Sequence, residues 1–205
     1  MDSNRRPLIR RTLLPCPPFP AKPSRLLLGS KIQFFLNDSK TNSNFFSSPL
    51  IQLENTNPKN NQQVQLLQFE YTVENPKIWD IESPDFYILK TQLFDDNNNL
   101  LDETNQHCGF KTIEFTSDKG FFLNGRHVKI NGACHHHDQG ALGSAFHKEA
   151  LRRQFQKLKD MGVNAVRCSH NPPPRAWMDL ADEMGLMIDD EAFDMWERPK
   201  TDFDY

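Results

Sequence analysis

The stretch NAVRCSHNPPP, residues 164–174, ends an apolar run with Arg167, Ser169, His170 and Asn171 and then meets three prolines. A connecting loop has no use for a cation, a hydroxyl, an imidazole and an amide set this close together. Two further stretches end the same way. VKINGACHHHD, 128–138, closes on His135, His136, His137 and Asp138, and LMIDDEAFDMW, 186–196, closes on Asp189, Asp190 and Glu191, then Asp194 and Trp196. Donors and acceptors of this kind grip hydroxyl groups and stabilise developing charge.

Four chemistries compete for these residues. His135 and His137 share one side of an extended chain, with Cys134 and His170 as further donors for a metal. Successive strand residues point to opposite faces, however, and no spacing of a structural zinc site is present. Asp190 and Glu191 suggest a carboxylate pair for glycoside cleavage. A retaining pair sits about 5–5.5 Å apart across a sugar, and two adjacent strand residues cannot both enter one cavity. An ion pair of one of them with Arg167 or Arg175 is the structural alternative. Ser169 beside His170 lacks the geometry of a nucleophile and its base. GALG, 140–143, lacks the glycine pattern and following Lys-Ser/Thr of a phosphate loop.

These residues need elements that bring them together. From 121 onward the pattern alternates strand and helix. FFLNGRHVKI is a hairpin around Asn124-Gly125, because a type I′ turn needs positive φ at both central residues. Residues 128–137 form a strand. Residues 147–161 form a helix, with Leu151, Phe155 and Leu158 at i, i+4 and i+7 and a stop at Gly162. Residues 163–169 form a second strand, 175–184 a second helix stopped at Gly185, and 186–193 a third strand. This βαβαβ order predicts a parallel sheet with helical crossovers. In such sheets ligands bind at the carboxyl ends of the strands, where all three polar clusters fall.

Upstream the chain reads differently. Residues 64–73, 86–94 and 108–115 alternate apolar and polar with period two, with Asp95–Asn99 as a turn and no helix between them. On 86–94, Tyr87, Leu89, Thr91 and Leu93 share a face. Strands so spaced predict an antiparallel immunoglobulin-like sandwich over 31–118, to which 31–36 adds a strand. Residues 1–30 carry Arg5, Arg6, Arg10, Arg11, Lys22 and Arg25 against Asp2 alone and are broken by prolines; they predict a disordered basic tail. Asn37-Asp38-Ser39 has the form of a glycosylation sequon, which carries little weight without a secretory leader.

The whole chain has 205 residues and a formal net charge of −3, which predicts no nucleic-acid partner. No apolar run approaches the roughly 18 residues of a membrane span, and no signal peptide is legible, so the expected location is cytoplasmic. Four cysteines, Cys16, Cys108, Cys134 and Cys168, show no CxxC spacing; buried thiols rather than a disulfide framework are expected.

Taken together these motifs resemble glycoside hydrolase family 2, the β-galactosidase and β-glucuronidase family. NAVRCSHNP followed by DLADEMGLMIDDEAFDMW resembles its first barrel signature, and LNGRHVKINGACHHHDQGALGSAF resembles the segment that opens its barrel. ENPKIWDIESPDFYILKTQLF and GFKTIEF resemble the last strands of its central domain and the junction beyond, with Lys111 where the family more often has Arg. The match runs from about 73 to 205.

The resemblance implies an immunoglobulin-like β-sandwich, partial here, over 31–118, then over 119–205 the first three β/α units of a TIM (β/α)8 barrel. It implies retaining hydrolysis of O-glycosyl bonds by two glutamates on later strands, beyond Tyr205, so no catalytic residue is expected in this chain. His170 and Asn171 would line the substrate subsite. His136, Asp138 and Arg167 would shape the pocket around the nucleophile, and Glu191 would join its hydrogen-bond shell. No cofactor or metal is implied. The expected partners are a β-linked sugar, galactoside ahead of glucuronide, and a second copy or a complementing chain. Three strands cannot close a barrel of eight, so the chain alone is expected to lack turnover. A non-catalytic carbohydrate-binding or interaction protein and a metal-binding protein remain the alternatives.

Overall fold

The computed structural model describes residues 30–53 and 72–192. The chain divides into two compact units: Met1–Lys77 with Phe86–Phe110, and Ile78–Asp85 with Lys111–Tyr205.

The first unit is one antiparallel sheet in its described part. Its strands are β1 (Lys31–Asp38), β2 (Asn44–Ser47), β3 (Ile51–Gln52), β4 (Tyr87–Phe94) and β5 (Leu100–Cys108), ordered β2-β1-β4-β5 with β3 also on β1. The register pairs Ile32 with Leu93, Phe34 with Thr91, Leu36 with Leu89 and Asp38 with Tyr87. Opposed residues share a face, so Tyr87, Leu89, Thr91 and Leu93 lie together, as the alternation predicts. Tyr87 is almost wholly buried. Its ring meets Phe45 and Phe110 edge-on, at 5.4 and 5.5 Å between centres, and its hydroxyl oxygen accepts the Lys77 backbone N–H at 2.8 Å. Asp38 ends β1 by accepting the backbone N–H groups of Lys40 and Thr41 while its other oxygen pairs with Lys77 at 2.6 Å. The Lys77 ammonium first, and these amides with it, hold the Asp38 carboxyl far below the usual carboxylate range.

Several expectations need correction here. Residues 108–115 are not one strand. β5 ends at Cys108, and β6 (Ile113–Thr116) pairs in the second unit. Strand β5 was not predicted, because LLDETNQHC lacks apolar alternation; it needs none, since its pairing with β4 is carried by the backbone. The strand expected at 64–73 falls outside the described residues apart from 72 and 73, which are not in a strand, and the tail 1–29 lies outside them too. The expected division at 118/119 moves to 110/111, because β6 belongs with the hairpin that follows it, and Ile78–Asp85 joins the second unit.

In the second unit β6 pairs with β7 (Gly120–Leu123), which turns into β8 (Arg126–His127). Asn124 and Gly125 have φ of 53° and 75°, the two positive angles of the predicted turn. Then follow β9 (Gly132–His136), α1 (Lys148–Asp160), β10 (Ala165–Ser169), α2 (Arg175–Met184) and β11 (Met187–Asp189). The sheet β11-β10-β9 is parallel, with Arg167 beside Cys134 and Ser169 beside His136. The first parallel strand is therefore shorter than the predicted 128–137, and the third is shorter than 186–193, of which 193 lies outside the described residues.

Helix α1 begins at His147, whose ring nitrogen accepts the Ala150 N–H, and ends on a lysine-bearing turn where Lys159 donates to the Met184 carbonyl. Its Leu151 and Phe155 join Val166 and Cys168 of β10, Trp177, Leu180 and Ala181 of α2, and Leu186 in one buried core. Phe155 and Trp177 meet edge-on at 4.9 Å. Helix α2 stops at Gly185, in the left-handed region at φ 68°.

The segment Ile78–Asp85 straps this unit. Trp79 is 3% exposed, and its indole N–H donates to the Asp182 carbonyl at 3.0 Å while the Lys111 ammonium stands 4.3 Å from its ring centre. Asp80 accepts from Asn124 and Arg126 at 3.0 and 2.8 Å, and Glu82 from Arg126 at 2.8 Å. Among the described residues no helix is long and apolar enough to cross a membrane.

Candidate functional site

Strand alternation sorts the polar residues. On β10, Val166 and Cys168 point into the helix-facing core, so Arg167 and Ser169 take the other face. The parallel register puts Cys134 and His136 on the same face as Arg167 and Ser169, and His135 on the helix side with Cys168.

At the carboxyl ends of these strands Arg167, His170 and Glu191 form one cluster. Arg167 Nη2 donates to Glu191 Oε1, His170 Nδ1 lies 2.9 Å from Glu191 Oε2, and Arg167 Nη2 lies 3.5 Å from His170 Nδ1. Glu191 thus holds one partner on each oxygen. Desolvation acts to raise its pKa, but the hydrogen bonds from Arg167 and then His170, together with their charges, outweigh it and leave the carboxyl below its ordinary range. An ionised Glu191 only accepts, so His170 Nδ1 donates to it. The His136 ring stands edge-on to His170, 5.4 Å away at 79°. The Ser169–His170 peptide bond is cis. Arg167 also donates from Nη1 to Cys134 Sγ at 3.5 Å.

The structure thus brings four of the six predicted site residues together: His136, Arg167, His170 and Glu191. Asn171 follows His170 and is exposed. Asp138 turns into the loop after β9 instead. Its Oδ1 accepts the Gly140 N–H at 2.8 Å and its backbone carbonyl accepts from Gln154 at 2.9 Å. That loop is stapled to the start of α1, where the Gln139 side chain donates to the His147 carbonyl and accepts its N–H. Gln139, Gln154 and the strap residues Trp79 and Asp80 escaped sequence reasoning, because their partners are backbone atoms far along the chain and no spacing signals them.

The alternatives separate as well. Cys134 and His135 lie on opposite faces of β9, and Cys134, His135 and His137 do not converge as metal ligands among the described residues. The His135 ring packs between Phe155 and Trp177, at 5.8 and 5.9 Å, with Nε2 3.3 Å from Gln154, and burial pushes its pKa down. Asp189 and Asp190 are exposed while Glu191 is tied to Arg167, so Asp190 and Glu191 do not form a facing pair. Ser169 Oγ is buried and makes no hydrogen bond, to His170 or to any other group. Cys168 is fully buried, and burial first, then the charges of Asp190, Asp189 and Glu191, push its thiol up to about 12.

Comparison with known proteins agrees with this arrangement. Residues 31–111 match the family described as glycosyl hydrolases family 2, and 114–196 match the glycosyl hydrolases family 2 TIM barrel domain. A beta-galactosidase of Bacteroides ovatus is 47% identical over 136 residues, covering 66% of this chain and 16% of its own length. A putative beta-glucuronidase of Formosa agariphila is 44% identical, over 65% of this chain and 13% of that protein. Among solved structures, a glycosyl hydrolase family 2 member from Bacteroides cellulosilyticus superposes with a TM-score of 0.71 at 33% identity, over 86% of this chain and 22% of the other. A Bacteroides uniformis beta-glucuronidase gives 0.71 at 30% identity, over 84% and 20%. The chain therefore spans less than a quarter of each of these relatives.

Proposed function

Because the chain belongs to glycoside hydrolase family 2, we propose that it serves hydrolysis of β-linked sugars by a retaining mechanism, galactosides ahead of glucuronides, and that its strand ends form one wall of the sugar site. The observation that carries this is the Arg167–Glu191–His170 cluster at the carboxyl ends of two adjacent parallel strands, β10 and β11. Glu191 fixes the Arg167 fork and orients the His170 ring on the same rim, so that the ring meets a sugar hydroxyl and Arg167 offers positive charge where negative charge gathers. His136, beside His170, and the exposed Asn171 add donors and acceptors on the same rim. Asp138 enters as a residue that shapes the loop behind the wall rather than as a direct ligand. The sequence preference for galactosides is supported by the Bacteroides ovatus relative's name, while other relatives named beta-glucuronidase keep the acid sugar as the competing substrate.

On this reading the chain by itself binds a sugar without cleaving it. Calorimetry with methyl β-galactoside and methyl β-glucuronide tests this. Binding of the galactoside that weakens in Glu191→Gln, with no release of methanol, is the expected result. Equal binding by wild type and Glu191→Gln would remove the cluster from the site.

A further inference from the structure

The sequence holds two Asn-Gly pairs, Asn124-Gly125 and Asn131-Gly132, and the second unit treats them differently. Asn before Gly is prone to ring closure, because the following residue has no Cβ to hinder the approach of its amide nitrogen to the Asn side chain. Asn124 is held against this. Its Oδ1 accepts the Thr112 N–H at 3.0 Å, and its Nδ2 donates to the Trp79 carbonyl and to Asp80 Oδ2, both at 3.0 Å. Its backbone N–H donates to the Thr112 carbonyl at 2.8 Å. The side chain cannot turn toward the Gly125 nitrogen without breaking its three hydrogen bonds.

Asn131 has no such grip. It is exposed and stands one residue before β9. Among the described residues its side chain has a single hydrogen bond, from Nδ2 to the Gly162 carbonyl at 3.5 Å, the outer limit of such a contact. The attacking nitrogen is available too. The Ala165 N–H bonds to the Asn131 carbonyl, so in the parallel register Asn131 and Ala133 turn their backbone groups toward β10 and Gly132 turns its own away. Among the described residues β9 is an outer strand of its sheet, so the Gly132 N–H faces an open edge.

We propose that Asn131 is a site of spontaneous deamidation, with water as co-reactant, and that its isoaspartate product loosens the start of β9. In the step the Gly132 nitrogen, having lost its proton to hydroxide, attacks Asn131 Cγ. An N–C bond forms, the Cγ–Nδ2 bond breaks, and Nδ2 leaves as ammonia after taking a proton from water. Water then opens the succinimide ring. Opening at Cγ gives aspartate, opening at the backbone carbonyl gives isoaspartate, and no oxidation occurs in either. Isoaspartate runs the main chain through Cβ and Cγ, one methylene longer, and turns the former backbone carbonyl into a free carboxylate. That carbonyl is where β9 and β10 begin to pair. It accepts the N–H groups of Asn164 and Ala165 at 3.0 and 3.3 Å, while the Asn131 N–H donates to Asn164 Oδ1 at 2.9 Å. The extra methylene displaces Gly132 from its place beside Ala165, at the base of the strand that ends in His136.

Neither the reaction nor its test depends on sugar binding. The whole chain is aged in mildly alkaline buffer, and trypsin separates the two pairs into the peptides 120–126 and 130–148. Mass spectrometry reads the conversion of amide to acid in each, and an isoaspartyl carboxyl methyltransferase with a labelled methyl donor measures isoaspartate. Acid is expected in 130–148 several-fold faster than in 120–126 while the chain is folded, with the gap closing in urea. Gly132→Ala, whose Cβ would meet nothing nearer than the Ala165 carbonyl at 3.8 Å, should keep the fold and slow the conversion several-fold. The aged chain should unfold at lower urea than the fresh chain. Asn131→Asp, which adds the charge without the methylene, should stay near the fresh chain. Equal conversion of the two peptides in the folded chain, or an unchanged rate in folded Gly132→Ala, overturns the site. An aged chain rich in isoaspartate that unfolds at the midpoint of the fresh chain overturns the loosening of β9.

Discussion

Trp79 lies in a segment that precedes β4, yet it is packed as part of the βαβαβ unit. Replacing it with Ala tests whether that strap belongs to the unit's core. The indole is 3% exposed, and its N–H satisfies the Asp182 carbonyl in the last turn of α2. Truncating a buried Trp to Ala costs about 3–5 kcal/mol through lost transfer free energy and the cavity left behind. Loss of the hydrogen bond to the Asp182 carbonyl adds about 1 kcal/mol, and the lost Lys111 contact adds about 0.5–1 kcal/mol. A total near 5 kcal/mol is comparable with the whole stability of an ordinary domain, about 5–15 kcal/mol. Both described helices lie in this unit and the other unit is strands alone in its described part, so the far-UV helical signal in a urea titration reports the unit selectively. Trp79→Ala should lose most of that signal in buffer or shift its midpoint far down. Trp79→Phe, which keeps a ring and loses the donor, should fall between. A Trp79→Ala protein whose helical transition stays within about 0.5 kcal/mol of wild type would refute the assignment of Ile78–Asp85 to this unit.

Gly185→Ala strikes the same strap from the other side. A Cβ there would collide with the Ile81 carbonyl, and the residue sits at φ 68°, so overpacking and left-handed strain together should cost about 2–5 kcal/mol in the same titration. The pH dependence of that titration should carry a His135 component. Burial against Phe155 and Trp177 first, then the charges of His137 and His136, lower its pKa below the ordinary value, against the Gln154 hydrogen bond and the Asp138 charge, which raise it. Its stabilising contribution is then complete above about pH 6.5 and lost as pH falls through the lower folded value, at up to about 1.4 kcal/mol per pH unit. His135→Gln should flatten the slope between pH 7 and 5; an unchanged slope would assign it elsewhere. Cys168→Ala should leave peroxide and alkylation chemistry untouched, because that thiol is buried and protonated at neutral pH; peptide mapping after iodoacetamide treatment reads it directly.

The barrel-like unit was legible because its signals are local. Leu151, Phe155 and Leu158 set the helix by spacing, Asn124-Gly125 set the hairpin by backbone angle, and Gly185 ended α2 where αL was needed. The site followed from the rule that parallel strands present their ends, and Arg167, His170 and Glu191 meet there. Asp138, expected to shape the pocket, holds its own loop through the Gly140 N–H, a contact that no spacing in the sequence announces. The first unit was less legible. The middle of β5, Asp102 to His107, is polar throughout, and its pairing with β4 rests on backbone hydrogen bonds that leave no alternating hydrophobic trace. The strap was invisible for a different reason: Trp79 and Asp182 are 103 positions apart, and no local pattern announces a contact of that range.

The account's central claim is that the strand ends of the βαβαβ unit grip a β-linked sugar. The most direct measurement is a nuclear magnetic resonance titration of the isotopically labelled chain with methyl β-galactoside, followed at backbone amides and histidine rings. The account predicts shifts concentrated at His136, Arg167, His170, Asn171 and Glu191, absent from β1–β5, and abolished in His170→Ala. Shifts elsewhere, or the same shifts in folded His170→Ala, would contradict it.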